Sequence, residues 1–273
     1  MKKRSCRAWI LTMAMLMSTC LLTVSCGKAD IGEGDPVETD SITADTMATL
    51  TNKANSPACK VHIGFKYLKG QHARQLNQSL LHAGILVPDY LATPTLPPNK
   101  EALSYFLKCY VEDYQRDGRL ILDQEPGNDG LNWMYRVNTD VRRYHKGVIA
   151  YMAHVHTFEG GQYPIDQTVV RNICEADGRI LSIQDILVPG YDKTLLADVV
   201  KQLAEDYEVD DIEGLRSKGL FIGIEPYLPD NFILGDGAIQ FIFQCDEIAS
   251  HTLGEIRVTV GIGESELKIK TEE

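Results

Sequence analysis

Residues 133–142 constrain the fold more than any other stretch. Trp133, Tyr135, Val137, Thr139 and Val141 alternate with Asn132, Arg136, Asn138, Asp140 and Arg142. A period of two means an extended strand with one face against a core and the other in water. Such a strand needs sheet neighbours, and the chain supplies them. Val61, Ile63, Phe65 and Tyr67 share one face of a strand over Lys60–Tyr67. Lys146–Phe158 is more apolar and reads as a central strand. Thr168–Cys174 and Ile180–Leu187 are joined by Asp177-Gly178, a strong hairpin signal. Asn231–Leu234, Ala238–Phe243 and Ile256–Ile262 complete the strands, the first two linked by Gly235-Asp236-Gly237.

Helical spacing interrupts this pattern three times. Gln71–Ala83 places Leu76, Leu80 and Leu81 on one side. Lys100–Gln115 repeats Leu103, Phe106, Leu107, Tyr110 and Tyr114 opposite Lys108, Glu112 and Asp113. Thr194–Tyr207 carries Leu195, Leu196, Val199 and Leu203. Strands and helices follow no regular βαβ rhythm. The expected class is α+β, with antiparallel sheets and helices packed on one face.

The amino terminus reads as an address. Lys2-Lys3-Arg4 precede an apolar run from Ala8 to Val24, too short and too punctuated by small residues for a membrane span. Leu22-Thr23-Val24-Ser25-Cys26 resembles a bacterial lipobox. That resemblance implies cleavage after residue 25, diacylglyceryl attachment to the Cys26 thiol and an envelope protein held on a membrane by its lipid. Thr23 departs from the pattern, which prefers an apolar residue. Residues 26–57 are rich in Gly, Asp, Thr, Ala and Ser and read as a flexible tether. Lys28, Asp30, Glu33 and Asp35 resemble the acidic export tag of Bacteroidetes surface lipoproteins.

Charge excludes one class. The chain has 27 basic and 38 acidic residues, a net −11. Removal of residues 1–25 takes Lys2, Lys3, Arg4 and Arg7 and leaves 23 basic residues, a net −15. Nucleic acid is not an expected partner, since phosphate binding needs a cationic face. Nucleophile-elbow, Walker and dinucleotide motifs are missing from the sequence. Gly261-Ile262-Gly263 lacks a third glycine, and Asp210-Asp211 and Asp246-Glu247 read as solvated acids. Trp133, Tyr135, Tyr144 and Tyr151 read as core. No cofactor is expected.

Two residue sets are candidates for metal binding or disulfides, although the cysteine spacings, with no Cys-x-x-Cys, fit neither zinc nor redox catalysis. His154 and His156 lie two apart on a strand and so share a face, where neutral imidazoles bind zinc. Glu159 or Asp166 is a candidate third ligand; a fourth cannot be placed. Cys59, Cys109, Cys174 and Cys245 permit two disulfides outside the cytoplasm, in three connectivities, or four buried thiols.

The second half resembles a known domain. Gly160-Gly161-Gln162-Tyr163-Pro164, the hairpin Asp177–Leu187, the hairpin Asn231–Phe243, Glu247-Ile248-Ala249 with Gly254, and Glu264-Ser265-Glu266-Leu267 occur in order. Together they resemble the RsiV-like domain shared by the anti-sigma factor RsiV and the peptidoglycan deacetylase PdaC. The resemblance implies residues 145–273 as an RsiV-like α+β domain and residues 58–144 as its small companion. It implies ligand contacts at Gly160, Gly161, Tyr163, Glu247 and His251. The chain departs from the family at Tyr163, Cys245, Asp246, Ser250 and His251, where the family has His, Pro, Tyr, Pro and Tyr.

In the deacetylases, catalysis lies in a separate domain whose Asp-Asp and His-x-x-x-His motifs this sequence lacks. In the anti-sigma factors the domain is a lysozyme receptor, on a chain whose sigma-binding segment exceeds residues 1–7 here. The expectation is therefore a non-catalytic, lipid-anchored envelope protein that binds lysozyme or a peptidoglycan fragment. One alternative is an envelope glycan- or peptidoglycan-modifying metalloenzyme using the His154/His156 face. The other is a structural subunit of an envelope complex.

Overall fold

The computed structural model describes residues 29–70, 73–92, 100–125 and 129–268. The leader and Cys26 lie outside them. No helix among these residues is long and apolar enough to cross a membrane.

The alternation at residues 58–68 becomes strand β3 (Ala58–Leu68), burying Val61, Ile63 and Phe65; a short β1 (Asp35–Pro36) and a long β2 (Thr39–Thr49) precede it. β2 pairs antiparallel with β3 along its whole length, from Thr39↔Leu68 to Thr49↔Ala58. The expected tether is therefore corrected from residue 35 onward. Ile42, Ala44, Thr46 and Ala48 turn inward by period-two alternation, but only Ile42 among them is both large and apolar, so hydropathy does not mark the strand. The ladder of β3 supplies the partner that composition does not announce.

Two helices cross one face. α1 (Ala73–Leu81) buries Leu76, Leu80 and Leu81, and α2 (Lys100–Gln124) buries Phe106, Tyr110 and Tyr114. Asn77 of α1 is also buried: its Nδ2 donates to Leu68 O (2.9 Å) and its Oδ1 accepts from Leu68 N (2.8 Å), completing the ladder where β3 ends. α2 runs nine residues past the expected end at Gln115, over the edge strand. Its Gly118 meets Leu50 so closely that a Cβ there would lie 2.8 Å from Leu50 Cδ2.

The chain returns in β4 (Trp133–His145), parallel to β3, then antiparallel through β5 (Val148–Phe158), β6 (Ile165–Cys174) and β7 (Ile180–Leu181). The sheet order is β2-β3-β4-β5-β6-β7, with β1 on the far part of β4. Tyr110, Tyr114, Tyr135 and Tyr151 sit in the helix-side core with their hydroxyls bonded, as buried phenols require.

The rest of the chain builds a second layer: α3 (Ile183–Ile186), α4 (Asp192–Asp206), α5 (Ile212–Ser217), and a sheet β10-β9-β8 from β8 (Phe232–Gly235), β9 (Ala238–Phe243) and β10 (Ile256–Gly261). Its outer face packs on these helices through Leu195, Val199, Phe241 and Val258. Its inner face meets the large sheet at Ala150, Met152, Val170, Ile233 and Ile242. The order of layers is helices, large sheet, small sheet, helices. The α+β reading with largely antiparallel sheets holds, and each sheet carries helices on one face.

Three further expectations change. The boundary at 144/145 falls inside the β4–β5 hairpin, where His145 pairs with Val148, so the two subdomains give way to two layers meeting after β7. The strand expected over Ile180–Leu187 stops after two residues. Asp185 accepts from Ser182 N (2.9 Å) and Ser182 Oγ (2.7 Å), a capping device that starts α3. Of the two alternatives left open for the cysteines, the disulfides give way to the thiols: among the described residues Cys59, Cys109, Cys174 and Cys245 are all free. Cys59 is buried in the helix-side core, Cys109 lies on α2, Cys174 packs on the second-layer core and Cys245 contacts His251.

Candidate ligand-binding cleft

The outer face of the large sheet is only partly covered. On β5, Ala150 and Met152 lie under the small sheet, whereas the next residues on that face, His154 and His156, emerge from it. Register then sets their neighbours. Asp45, Arg136 and Asp166 flank two histidines in one cross-strand row, Asp45–His62–Arg136–His156–Asp166, over five strands. His62 Nδ1 lies 2.7 Å from Asp45 Oδ1, and His156 Nδ1 lies 2.7 Å from Asp166 Oδ1. Arg136, between them, has no carboxylate partner among the described residues. The adjacent row is Gly64–Asn138–His154–Thr168.

Loops of the small sheet make the wall. Cys245, His251, Gly254 and Glu255 stand over the two rows and, with Pro164, enclose a cleft of about 430 Å³. Thr168 is where the layers join. Its N donates to Glu255 Oε2 (3.0 Å), and its O accepts from Asn231 Nδ2 (2.8 Å) and Gln244 Nε2 (2.7 Å). Beyond Arg136 the face continues into a groove lined by Met47, Lys60, His62 and Met134.

The structure brings some expected residues together and assigns others to scaffolding. His154, His156 and His251 line one cleft, and Tyr163 stacks on the His251 ring with centroids 5.0 Å apart. Gly160 is a turn residue: it holds φ +83°, and a Cβ would lie 2.6 Å from Gly130 O. Gly161 is exposed with open space around it. Glu247 braces a turn, accepting from Gln244 N (2.6 Å) and Tyr227 O–H (2.5 Å). His154 and His156 do not converge as metal donors. His156 is held by Asp166, and His154 Nδ1 lies 3.4 Å from Thr168 Oγ1. Among the described residues, the donors that converge are Cys245, Asp246 and His251.

That trio is not a nucleophile with its base. His251 Nδ1 lies 3.1 Å from Cys245 Sγ and 2.9 Å from Asp246 Oδ2. A relay uses both ring nitrogens, one toward the nucleophile and one toward the orienting acid. Here thiol and carboxylate share a single nitrogen. Burial, then the negative charge of Asp246, raise the Cys245 thiol pKa, the opposite of activation. Sequence reasoning missed Arg136, Asn138 and Glu255 as cleft residues. Arg136 and Asn138 were visible as the wet face of an alternating strand, but not as neighbours of His156 and His154.

Comparison with known proteins places this architecture. No curated protein sequence matches the chain. The crystal structure of a DUF3298 family member from Bacteroides fragilis is similar over 86% of this chain and 95% of that one, with a TM-score of 0.73 and 21% identity. A DUF3298 family protein from Pseudomonas aeruginosa is similar over 84% and 92%, with a TM-score of 0.54 and 18% identity. At such identities the likeness is one of fold. In sequence, residues 184–262, the small-sheet layer and its helices, match the family described as a protein of unknown function, DUF3298.

Proposed function

We propose that this chain is a lipid-anchored envelope protein that captures a carboxylate-bearing peptidoglycan fragment in the cleft without converting it. The observation that carries this reading is Arg136, a guanidinium with no carboxylate partner among the described residues, at the centre of a histidine-flanked row on an open sheet face. A planar fork in that position suits a carboxylate. The groove beyond it extends the surface for an elongated ligand.

The position of the anchor supports the reading. Ile31, five residues after Cys26, packs with Tyr144 at the inter-sheet core. Five residues span at most about 18 Å, so a lipid on Cys26 would hold the domain close to the membrane. Arg136 lies eight residues along β4 from Tyr144, roughly 26 Å at the rise of a strand, so the cleft is at the opposite end of the sheet from the anchor.

Titration calorimetry on the full chain in detergent micelles tests the proposal. Soluble peptidoglycan fragments are expected to saturate the protein. Arg136→Gln is expected to weaken binding about 10- to 100-fold, the worth of a charge-assisted hydrogen bond. Saturation that ignores this substitution, or no saturation, refutes the reading. The net charge of −11 favours a second reading, capture of a cationic protein such as lysozyme. Its sign would be lysozyme binding that weakens as salt rises.

A further inference from the structure

We propose that Cys245, Asp246 and His251 form a zinc-binding site whose fourth coordination position opens into the cleft. The inference rests on their geometry and is independent of the ligand reading above. The three donor atoms lie 3.1 Å (Sγ to Nδ1), 2.9 Å (Nδ1 to Oδ2) and 3.7 Å (Sγ to Oδ2) apart. A tetrahedral zinc with bonds of about 2.3 Å to sulfur and about 2.0–2.1 Å to nitrogen and oxygen has edges of roughly 3.3–3.6 Å. The three donors thus need to move by less than about 0.5 Å to become one face of that tetrahedron.

The donors sit on braced backbone. Glu247 closes the turn that carries Cys245 and Asp246 by accepting from Gln244 N, and Tyr227 holds its other oxygen. Asp246 takes φ +65°, a left-handed conformation uncommon for a non-glycine residue. His251 begins a short helical turn, His251–Leu253, and Tyr163 covers its ring. Thiolate, imidazole and carboxylate together suit zinc and disfavour magnesium and calcium, which take all-oxygen sets. Binding releases the thiol proton and any proton on Nδ1, so affinity rises with pH. The ion would tie the turn after β9 to the turn before β10 and fix the rim of the cleft.

The test uses the full chain, reduced and stripped of metal, in detergent micelles. Titration with zinc against a chromophoric chelator is expected to give one tight site per chain. Cys245→Ser and His251→Ala are each expected to weaken it by at least about 10- to 100-fold, the loss that removing even a ligand's hydrogen-bond partner causes. His156→Ala is expected to leave it unchanged. Cobalt in place of zinc is expected to show a thiolate-to-metal charge-transfer band that Cys245→Ser abolishes. Circular dichroism checks that each variant is folded. Absence of a stoichiometric site in the unaltered chain, or an undiminished one in folded Cys245→Ser, overturns the proposal.

Discussion

Asn172 is the clearest single test of how the two layers are joined. It lies on β6, is 1% exposed, and reaches across to β8. Its Nδ2 donates to Phe232 O (2.8 Å), and its Oδ1 accepts from Leu234 N (3.3 Å). The side-chain amide thus does for β8 what a neighbouring strand would do. Asn172→Ala strands one buried carbonyl and one buried N–H. Each costs roughly 1–3 kcal/mol when left unpaired. The longer bond to Leu234 contributes less, so the expected loss is about 2–4 kcal/mol. Urea unfolding of a domain with a slope of about 2–3 kcal/mol/M would then show its midpoint fall by roughly 1 M, with the slope unchanged. A loss below about 0.5 kcal/mol would mean that water replaces the amide, and that the sheets are held by their apolar contacts alone. Asn77→Ala, which removes the same kind of pair at Leu68, serves as the matched comparison.

Other expectations follow from the same contacts. Deleting residues 29–57 removes β2 and uncovers the edge of β3, so the truncated chain is expected to aggregate in size-exclusion chromatography; a stable monomer would show the strand to be dispensable. Gly160→Ala puts a Cβ against Gly130 O at a positive φ and is expected to cost about 1–3 kcal/mol in thermal or urea unfolding, whereas Gly161→Ala, in open space, is expected to change little. Burial pushes the Tyr114 phenol up to about 12 from an ordinary 10, and Cys59 likewise to about 12 from 9. Because the folded state holds these protons more tightly, their contribution is intact below the unfolded values and is lost as pH rises through about 12. Unfolding midpoints measured from pH 9 to 12 are expected to fall, and to fall less in Tyr114→Phe; parallel curves would refute the assignment.

Much of the architecture was legible because it is local. Period-two runs mark β3 and β4, and helical spacing marks α1, α2 and α4. Asp177-Gly178 marks the β6–β7 turn, where Gly178 takes φ +72° and donates to Cys174 O. The misses have physical causes. β2 is built from Thr, Ala and Ile that bury little area, so only the open edge of β3 identifies it. The capping signal Ser182-Ile183-Gln184-Asp185 was present in the sequence but outweighed by the β-rich residues around it.

What the sequence alone determined is the inventory: α+β, strands with one wet face, and a pair of histidines on one face of a strand. What only the tertiary structure decided is which of them meet. Arg136, His156 and Asp166 are neighbours because three strands share one register. Cys245 and His251 join their cleft because the small sheet docks on the large one through Asn231, Gln244 and Glu255 at Thr168. Side-chain periodicity records which face a residue occupies, since that is set by its own backbone. The neighbour across that face is set by long-range pairing and by burial between layers, which no local pattern encodes.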